Sequence, residues 1–332
     1  MSLKAEIAAF ISTGHGDFET LALALFDWQR RQNPMLDALV EAEPTHWWQL
    51  PAVPVELFKD IDFACFDLKK PHSIFHTSGT TVGRPGRHHS LDTELYDLGA
   101  PIQLRRCIPQ LPSRIVSLCP PAGGHSSLGH MLALFGTVEG YFDAVTGLKP
   151  GVWAALEQPC FLATTAFALD ALFGQEGRAQ VGPDSLVMVT GGFKGRRVRL
   201  DAPELYREIG RRLGSPRVVG EYGMTELSSQ LWTDPVPAGE LPGAFVAPPW
   251  MRIYTVDPAT GAPLSEGEVG QLRFVDLANY WSVLAIETMD LGRVVPHPEG
   301  DRVWLHGRLQ GAEVRGCSLS VEELLGLSSA TE

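Results

Sequence analysis

The chain is poor in features that would restrict its class quickly, and each shortage excludes something. Its 332 residues include only five cysteines, Cys65, Cys107, Cys119, Cys160 and Cys317. The number is odd, the spacing is wide and no Cys-x-x-Cys occurs. A zinc ribbon and a thioredoxin-type site are therefore excluded, and the pattern reads as that of a reducing compartment. Positive charge is also short. The formal charge is −12 and the isoelectric point about 5.3, so neither nucleic acid nor an anionic membrane is expected as the main partner. An anionic ligand must then be held by local groups. No long apolar run occurs: the most apolar stretch, Phe161 to Phe173, is too short to span a bilayer and contains Asp170. The first residues, Met-Ser-Leu-Lys-Ala-Glu, place an acidic group early and no cationic flank before an apolar core. No secretory signal and no integral membrane segment are expected, and the expected location is the cytoplasm.

What the chain does have is concentrated at Phe75-His-Thr-Ser-Gly-Thr-Thr-Val-Gly-Arg-Pro-Gly-Arg87. Glycines let a backbone approach a ligand closely and expose successive N–H groups, and Thr and Ser hydroxyls donate to phosphate oxygens. No Gly-Lys-Ser/Thr closes the stretch, so it is not a Walker A loop. Clusters of Gly, Ser, Thr and Pro also form ordinary turns, and these residues alone leave both readings open.

Residues 1–50 carry leucines at roughly helical spacing, interrupted at Asn33-Pro34. Trp47 to Lys59, with Pro51 and Pro54, reads as a packed irregular segment. From about 61 to 240, short apolar runs such as Arg114–Cys119, Ser185–Thr190 and Arg217–Tyr222 alternate with helix-like segments at Ser126–Phe135 and Pro203–Leu213. That alternation predicts an α/β domain whose loops carry the ligand. Beyond 241, Met251–Val256, Gly270–Val275 and Asp301–Leu305 predict a mainly β subdomain. Ser320-Val-Glu-Glu opens one last helix by its capping pattern. The expected organisation is a helical segment over 1–60, a nucleotide-binding core over 61–240, a β-rich subdomain over 241–305 and a hinge remnant and tail over 306–332.

Three further motifs follow the first. Gly220-Glu-Tyr-Gly-Met-Thr-Glu226 directly follows a strand, and Thr225 and Glu226 suit a phosphate and the Mg²⁺ that ATP carries. A strand-to-helix turn with a capping Thr is the plainer alternative. Met289-Asp-Leu-Gly-Arg293 and Gly307-Arg308 offer a carboxylate for ribose hydroxyls and a guanidinium for phosphate, or an ordinary surface turn.

In this order and spacing the motifs resemble those of the adenylate-forming superfamily of acyl-CoA synthetases, firefly-luciferase-like enzymes and peptide-synthetase adenylation domains. Pro54-Val-Glu-Leu-Phe-Lys59, Ser126-Ser-Leu-Gly-His-Met131, Thr190-Gly-Gly-Phe-Lys-Gly195, Glu226-Leu-Ser-Ser-Gln230, Asp276-Leu-Ala-Asn-Tyr-Trp-Ser282 and Arg315-Gly-Cys-Ser-Leu319 are similar to those of LuxE-type acyl-protein synthetases within it. The resemblance runs from about 47 to 325. It implies an α/β fold of the N-terminal adenylate-forming type, with mixed sheets flanked by helices and a small β subdomain. It also implies a C-terminal lid that is absent or vestigial, as in other short LuxE-type chains.

The same resemblance implies ATP-dependent, AMP-forming activation of a carboxylic acid, by the prototypes a fatty acid. Transfer to an enzyme cysteine and then to an acceptor protein, a reductase or acyl carrier protein, would follow. It makes Thr77, Ser78, Gly79, Thr80, Thr81 and Gly83 the phosphate loop. Gly191 and Gly192 would lie against adenine with Tyr222, Gly223 and Met224, while Thr225 serves the phosphates. Glu226 would hold Mg²⁺, Asp290 the ribose, and Arg308 would mark the hinge. Where the family loop carries Gly-x-Pro-Lys, this chain has Val82 inserted and supplies charge from Arg84 and Arg87. Lys194, Arg196 and Arg197 are candidates for the cation that a lid lysine gives longer relatives. Cys317 matches the acyl-accepting cysteine; Arg315 and the following helix start favour its thiolate, which can attack an acyl-adenylate. His76 is a candidate contact for the substrate carboxylate, and His125 or Ser126 for the acyl pocket. His125 and His130, five apart, do not share a helix face as metal ligands. Ligases that use coenzyme A or a carrier protein directly, an adenylyltransferase that stops at nucleotidyl transfer, and a non-catalytic ligand-binding relative are the alternatives.

Overall fold

The computed structural model describes residues 1–77, 84–143, 147–191 and 200–309. In chain order, helices α1 (Leu3–Thr13), α2 (Phe18–Gln32) and α3 (Pro34–Ala38) precede a short strand β1 (Val53–Pro54). A hairpin, β2 (Ser73–His76) and β3 (Arg87–Ser90), and helix α4 (Glu94–Cys107) follow. Next come β4 (Ile115–Ser117), α5 (Ser127–Phe135), β5 (Val138–Gly140), β6 (Phe142–Asp143), β7 (Gly147–Leu148), α6 (Val152–Ala155), β8 (Phe161–Thr165) and α7 (Ala166–Phe173). Then β9 (Leu186–Thr190), α8 (Ala202–Leu213), β10 (Arg217–Tyr222), β11 (Leu231–Thr233), β12 (Val236–Pro237) and β13 (Phe245–Val246) lead to four longer strands. These are β14 (Met251–Val256), β15 (Val269–Asp276), β16 (Ala285–Val295) and β17 (Arg302–Arg308). This is the mixed α/β class that the alternation of runs predicts. No helix among the described residues is long and apolar enough to cross a membrane.

The elements fall into two compact units. The first gathers Met1–Gly99, the short segment Thr225–Ser229 and the residues from Ala247 onward. Its sheet runs β14-β15-β16-β17, antiparallel throughout, with β1 added in parallel to β16 through Val53↔Ile286 and Pro54↔Glu287. Helix α2 starts where Asp17 accepts from Thr20 N. Its buried Gln29 donates to the carbonyls of Asn279 and Tyr280 at 2.7 and 3.1 Å and accepts from Leu284 N at 3.1 Å. One amide side chain thus fixes the β15–β16 connection, because its polar groups have no water to bond instead. Met289–Arg293 lies inside β16, not in a surface turn.

The second unit, Ala100–Met224 and Gln230–Val246, holds a sheet in the order β13-β11-β10-β9-β8-β4-β5. From β10 to β5 the strands are parallel, and β11 and β12 pair antiparallel with β10. All five residues of β9 are buried, as expected for a strand covered on both faces. On one face Val187, Val189 and Val218 pack with Leu169 and Leu172 of α7 and Leu205, Ile209 and Leu213 of α8. Each such side chain contributes roughly 1.5–3 kcal/mol. The start of α8 is set by a capping box: Asp201 Oδ1 accepts from Glu204 N at 2.8 Å and Glu204 Oε2 from Asp201 N at 3.0 Å. On the other face Phe135, at the end of α5, meets Trp232 with ring centroids 6.1 Å apart.

Candidate active site

The hairpin β2–β3 is the stem of the Gly/Thr-rich loop. His76 pairs with Arg87 across the ladder. Beyond them, Thr77 N donates to Gly86 O at 3.0 Å and Gly86 N donates to Thr77 Oγ1 at 2.8 Å. A Cβ on Gly86 would stand 3.1 Å from Thr77 Cγ2 and 3.4 Å from Phe58 O, so the clasp is closest with glycine there. Ser78, Gly79, Thr80, Thr81 and Gly83 lie outside the described residues, as do Gly192, Lys194, Arg196, Arg197, Arg315, Cys317 and the last helix.

The first unit brings three sequence motifs together. Thr225 Oγ1 donates to His76 O at 3.3 Å, across 149 residues of chain. His88, buried, hydrogen-bonds to the Thr225 backbone, and burial pushes its imidazole down to about 4. Glu226 follows, 7 % exposed. Burial pushes its carboxyl up to about 7, with the charge of Glu56 adding and those of Arg308 and Lys59 opposing. Glu56 is raised mainly by burial and feels Arg308, Lys59 and Glu287. Arg308 stands opposite Asp290 on paired strands, its Nε 3.7 Å from Asp290 Oδ1. Phosphate-loop stem, Thr225-Glu226 and Asp290/Arg308 therefore belong to one assembly.

Among the described residues no helix follows β10, so Thr225 does not open one there, and hydrogen bonds to β15 and its connection hold the segment instead. Asp276 accepts from Ser228 N at 3.0 Å and Ser229 Oγ at 2.8 Å. Asn279 donates to Glu226 O at 2.8 Å and accepts from Ser228 Oγ at 2.5 Å. Burial pushes Asp276 up to about 6 against these donors.

Sequence alone gives Glu56 and Lys59 no role beyond their membership of Pro54–Lys59. The parallel pairing of β1 with β16 brings the turn Val55–Lys59 to the assembly, and local sequence carries no sign of that pairing. Arg87, placed among the phosphate groups on sequence, donates from Nε to Asp62 Oδ1 at 2.6 Å. His89 also meets Asp62, at 2.9 Å, and His72 at 3.0 Å. Burial alone would raise Asp62; the bonds from His89 and Arg87 outweigh it and hold the carboxyl below its ordinary range. Arg84 is exposed.

In the second unit, Gly191 takes a left-handed φ of 78° directly after β9, a conformation that favours glycine. Tyr222 ends β10 and meets Phe245 edge-on at 6.0 Å. Gly223 is exposed and Met224 half-buried. Ser126 caps α5 by accepting from Gly129 N at 3.0 Å, and His125 is exposed beside it. A Cβ on Gly129 would lie 2.5 and 2.6 Å from the carbonyl oxygens of Pro121 and Pro120, so glycine lets α5 seat against that loop.

The profile of one family, described as AMP-binding enzyme, matches residues 20–275. No curated protein matches the sequence. Among solved structures, ATP-bound MatB from Rhodopseudomonas palustris is similar at 20% identity and a TM-score of 0.51, over 71% of this chain and 47% of its own. An open 2-hydroxyisobutyryl-CoA ligase, in complex with 2-HIB-AMP and CoA, gives 12% identity and a TM-score of 0.60 over 90% of this chain and 71% of its own. The anthranilate CoA ligase AuaEII, in complex with anthranoyl-AMP, gives 15% and 0.51 over 71% and 47%. The chain spans about half the length of the first and third. At these identities the likeness is one of fold.

Proposed function

The chain belongs to the AMP-binding, adenylate-forming family, and from that premise we propose that it activates a carboxylic acid with ATP and passes the acyl group to a thiol. The observation that carries this reading is the convergence of the loop stem at Thr77–Gly86, Thr225-Glu226 and Asp290/Arg308 in one unit.

In the first step a carboxylate oxygen of the acid attacks the α-phosphorus of ATP. A carbon-bound oxygen–phosphorus bond forms as the bond to the β-phosphate oxygen breaks, and pyrophosphate leaves. The loop that joins β2 to β3 would donate to phosphate oxygens, and Thr225 would join it by turning its hydroxyl from His76 O. Asp290 would accept from ribose hydroxyls, and Arg308 and Lys59 supply positive charge beside Glu226 and Glu56. Such a site works chiefly by positioning and charge neutralisation. Mg²⁺ fits the donor set: Glu226 and Glu56 are acidic oxygens held above their ordinary range by burial, the kind of ligand a hard dication takes. Glu226 would hold it, and its charge would screen the phosphates.

In the second step a thiolate attacks the adenylate carbonyl and AMP leaves. We assign that thiolate to Cys317, on its match to the acyl-protein synthetase cysteine and its nearness in sequence to Arg315, with a protein acceptor after it and a fatty acid as the substrate the resemblance implies. A chase with radiolabelled acid and ATP tests this: label bound covalently to wild type and lost in Cys317→Ala is the expected result. Equal label in the variant overturns the cysteine step. AMP release that depends on added coenzyme A would make coenzyme A the acceptor. Acid-dependent exchange of pyrophosphate into ATP tests the first step alone, and its absence with every acid overturns the reading.

A further inference from the structure

One face of the β2–β3 hairpin, in the first unit, carries a hydrogen-bonded chain that the steps above do not use. Residues two apart on a strand share a face, so Arg87 and His89 stand side by side on β3. Both reach one carboxylate oxygen. Arg87 Nε donates to Asp62 Oδ1 at 2.6 Å, and His89 Nε2 lies 2.9 Å from the same atom. His89 Nδ1 meets His72 Nε2 at 3.0 Å, and His72 Nδ1 lies 2.7 Å from Lys70 O. His89 is 4 % exposed, and Asp62 sits in the chain between Ile61 and Phe63, both buried. An exposed ion pair has only its own two side chains to hold its geometry. Asp62 is held in addition by its buried neighbours and by the braced imidazole of His89.

Arg87 is gripped by one edge only. A guanidinium carries five N–H donors, and arginines that serve the framework of this chain spend theirs on it. Arg114 closes a fork on Glu139, with Nε and Nη2 each at 2.7 Å, and gives Nη1 to Ala155 O at 2.6 Å. Arg212 gives Nε, Nη1 and Nη2 to the carbonyls of Gly177, Phe173 and Gln175. Arg87 uses Nε on Asp62, and its Nη1 and Nη2 meet no acceptor among the described residues. Its side chain is 28 % exposed, so those four N–H groups are open to a ligand.

The location indicates which ligand. Arg87 opens β3 directly after the Thr77–Gly86 clasp and stands opposite His76, whose carbonyl accepts from Thr225 Oγ1. Two Nη groups in one plane match a pair of phosphate oxygens, which a lysine ammonium does not. The β- and γ-phosphates carry most of the charge of ATP, and a guanidinium gains most there. An unrestrained arginine would lose rotamer freedom on gripping them. One already held at Nε has lost much of that freedom beforehand, so more of the contact appears as affinity.

We infer that Asp62 is a positioning residue for the nucleotide: it holds Arg87 by Nε and leaves Nη1 and Nη2 to the β- and γ-phosphates of ATP. The inference rests on the reading of ATP as substrate given above and adds a residue outside every motif that reading uses.

The test is calorimetric titration of the full chain, at one Mg²⁺ concentration and without acid, with AMP and with α,β-methylene-ATP, whose α–β linkage cannot be cleaved. Wild type, Asp62→Ala, Arg87→Ala and the double variant are compared. Asp62→Ala is expected to weaken the ATP analogue by about two- to ten-fold, the effect of freeing one long side chain. Its affinity for AMP, which lacks the β- and γ-phosphates, should stay as in wild type. The double variant should bind the analogue no more weakly than Arg87→Ala alone, since Asp62 acts through Arg87. Unchanged or tighter binding of the analogue by Asp62→Ala, an equal loss for AMP, or summed losses in the double variant overturns the inference. Binding of neither nucleotide by wild type overturns both the inference and the acyl-adenylate reading. The expected binding pattern without acid-dependent pyrophosphate exchange overturns that reading alone. If Asp62→Ala shows no cooperative melting transition, Asp62→Ser replaces it and the same comparison decides.

Discussion

Asn279 donates its side-chain amide to the backbone carbonyl of Glu226 at 2.8 Å and to that of Val283 at 3.0 Å. Two motifs far apart in sequence are held together by one side chain that is 1 % exposed. Asn279→Leu leaves both carbonyls and the Ser228 hydroxyl unpaired in the interior. Each buried orphan costs about 1–3 kcal/mol, so denaturant unfolding is expected to show a loss of at least about 3 kcal/mol. Because Glu226 is what the bond positions, kcat for pyrophosphate exchange should fall as well. A variant of normal stability and rate would sink the positioning role.

The pH dependence of stability follows from three buried carboxyls. Glu221 and Glu226 are pushed up to about 7 and Asp276 to about 6, each chiefly by burial. Below the ordinary carboxyl range all three hold protons, folded or unfolded. As the pH rises toward 7, the unfolded chain ionises freely and the folded chain resists, so stability is lost through that window. Glu221→Gln removes one such group. It is expected to match wild type below about pH 4 and to exceed it at pH 8 by about 3 kcal/mol. Melting curves at the two pH values check this, and a variant equally stabilised at both would contradict it.

Arg84 and Arg87 should separate by what each touches. Arg84 is exposed, and Arg84→Ala is expected to raise the KM for ATP by about ten-fold, as loss of one charge-assisted contact does, with an unchanged melting temperature. Arg87→Ala should raise KM and also cost about 1 kcal/mol of stability, since Asp62 loses one of the two partners that lower it. Asp62 stabilises above its unfolded range and loses that contribution as the pH falls through its folded value. The stability difference between Arg87→Ala and wild type should therefore vanish in acid.

Gly129→Ala tests how α5 is seated. The added methyl would meet two backbone carbonyls at 2.5 and 2.6 Å, and backbone does not yield as a flexible side chain does. A stability loss of about 1–3 kcal/mol is expected, with a raised KM for the acid and little change for ATP. A KM change confined to ATP would count against placing Ser126 at the acyl pocket.

Much of this was legible in the chain because it depends on residue types at short range. The hydroxyls and glycines of Phe75–Arg87 and the helix patterns of Ser126–Phe135 and Pro203–Leu213 announce themselves within a few positions. Buried strands such as Leu186–Thr190 show as unbroken apolar runs. What was not legible depends on pairing across long stretches. Glu56 reaches Glu226 only because β1 joins β16 in parallel, and no local pattern reports a two-residue strand. The surface turn that Asp290 and Gly292 leave open as an alternative for Met289–Arg293 is replaced by tertiary pairing within β16. In sequence Glu221 is one more member of Gly220–Glu226; that it is opposed to Thr190 and Trp232 follows from register alone.

The burial of three thiols has a practical corollary. Cys65, Cys119 and Cys160 are enclosed, and burial raises them to about 12, 12 and 11, so they stay protonated at neutral pH. Thiolates, not thiols, carry alkylation and acyl exchange. In the native fold these sulfurs are chemically silent, and a brief treatment with an alkylating reagent should leave all three unmarked. Labelling can then be read at Cys107 and Cys317 alone, and protection of Cys317 by acid plus ATP would report an acyl-thioester without any radiolabel.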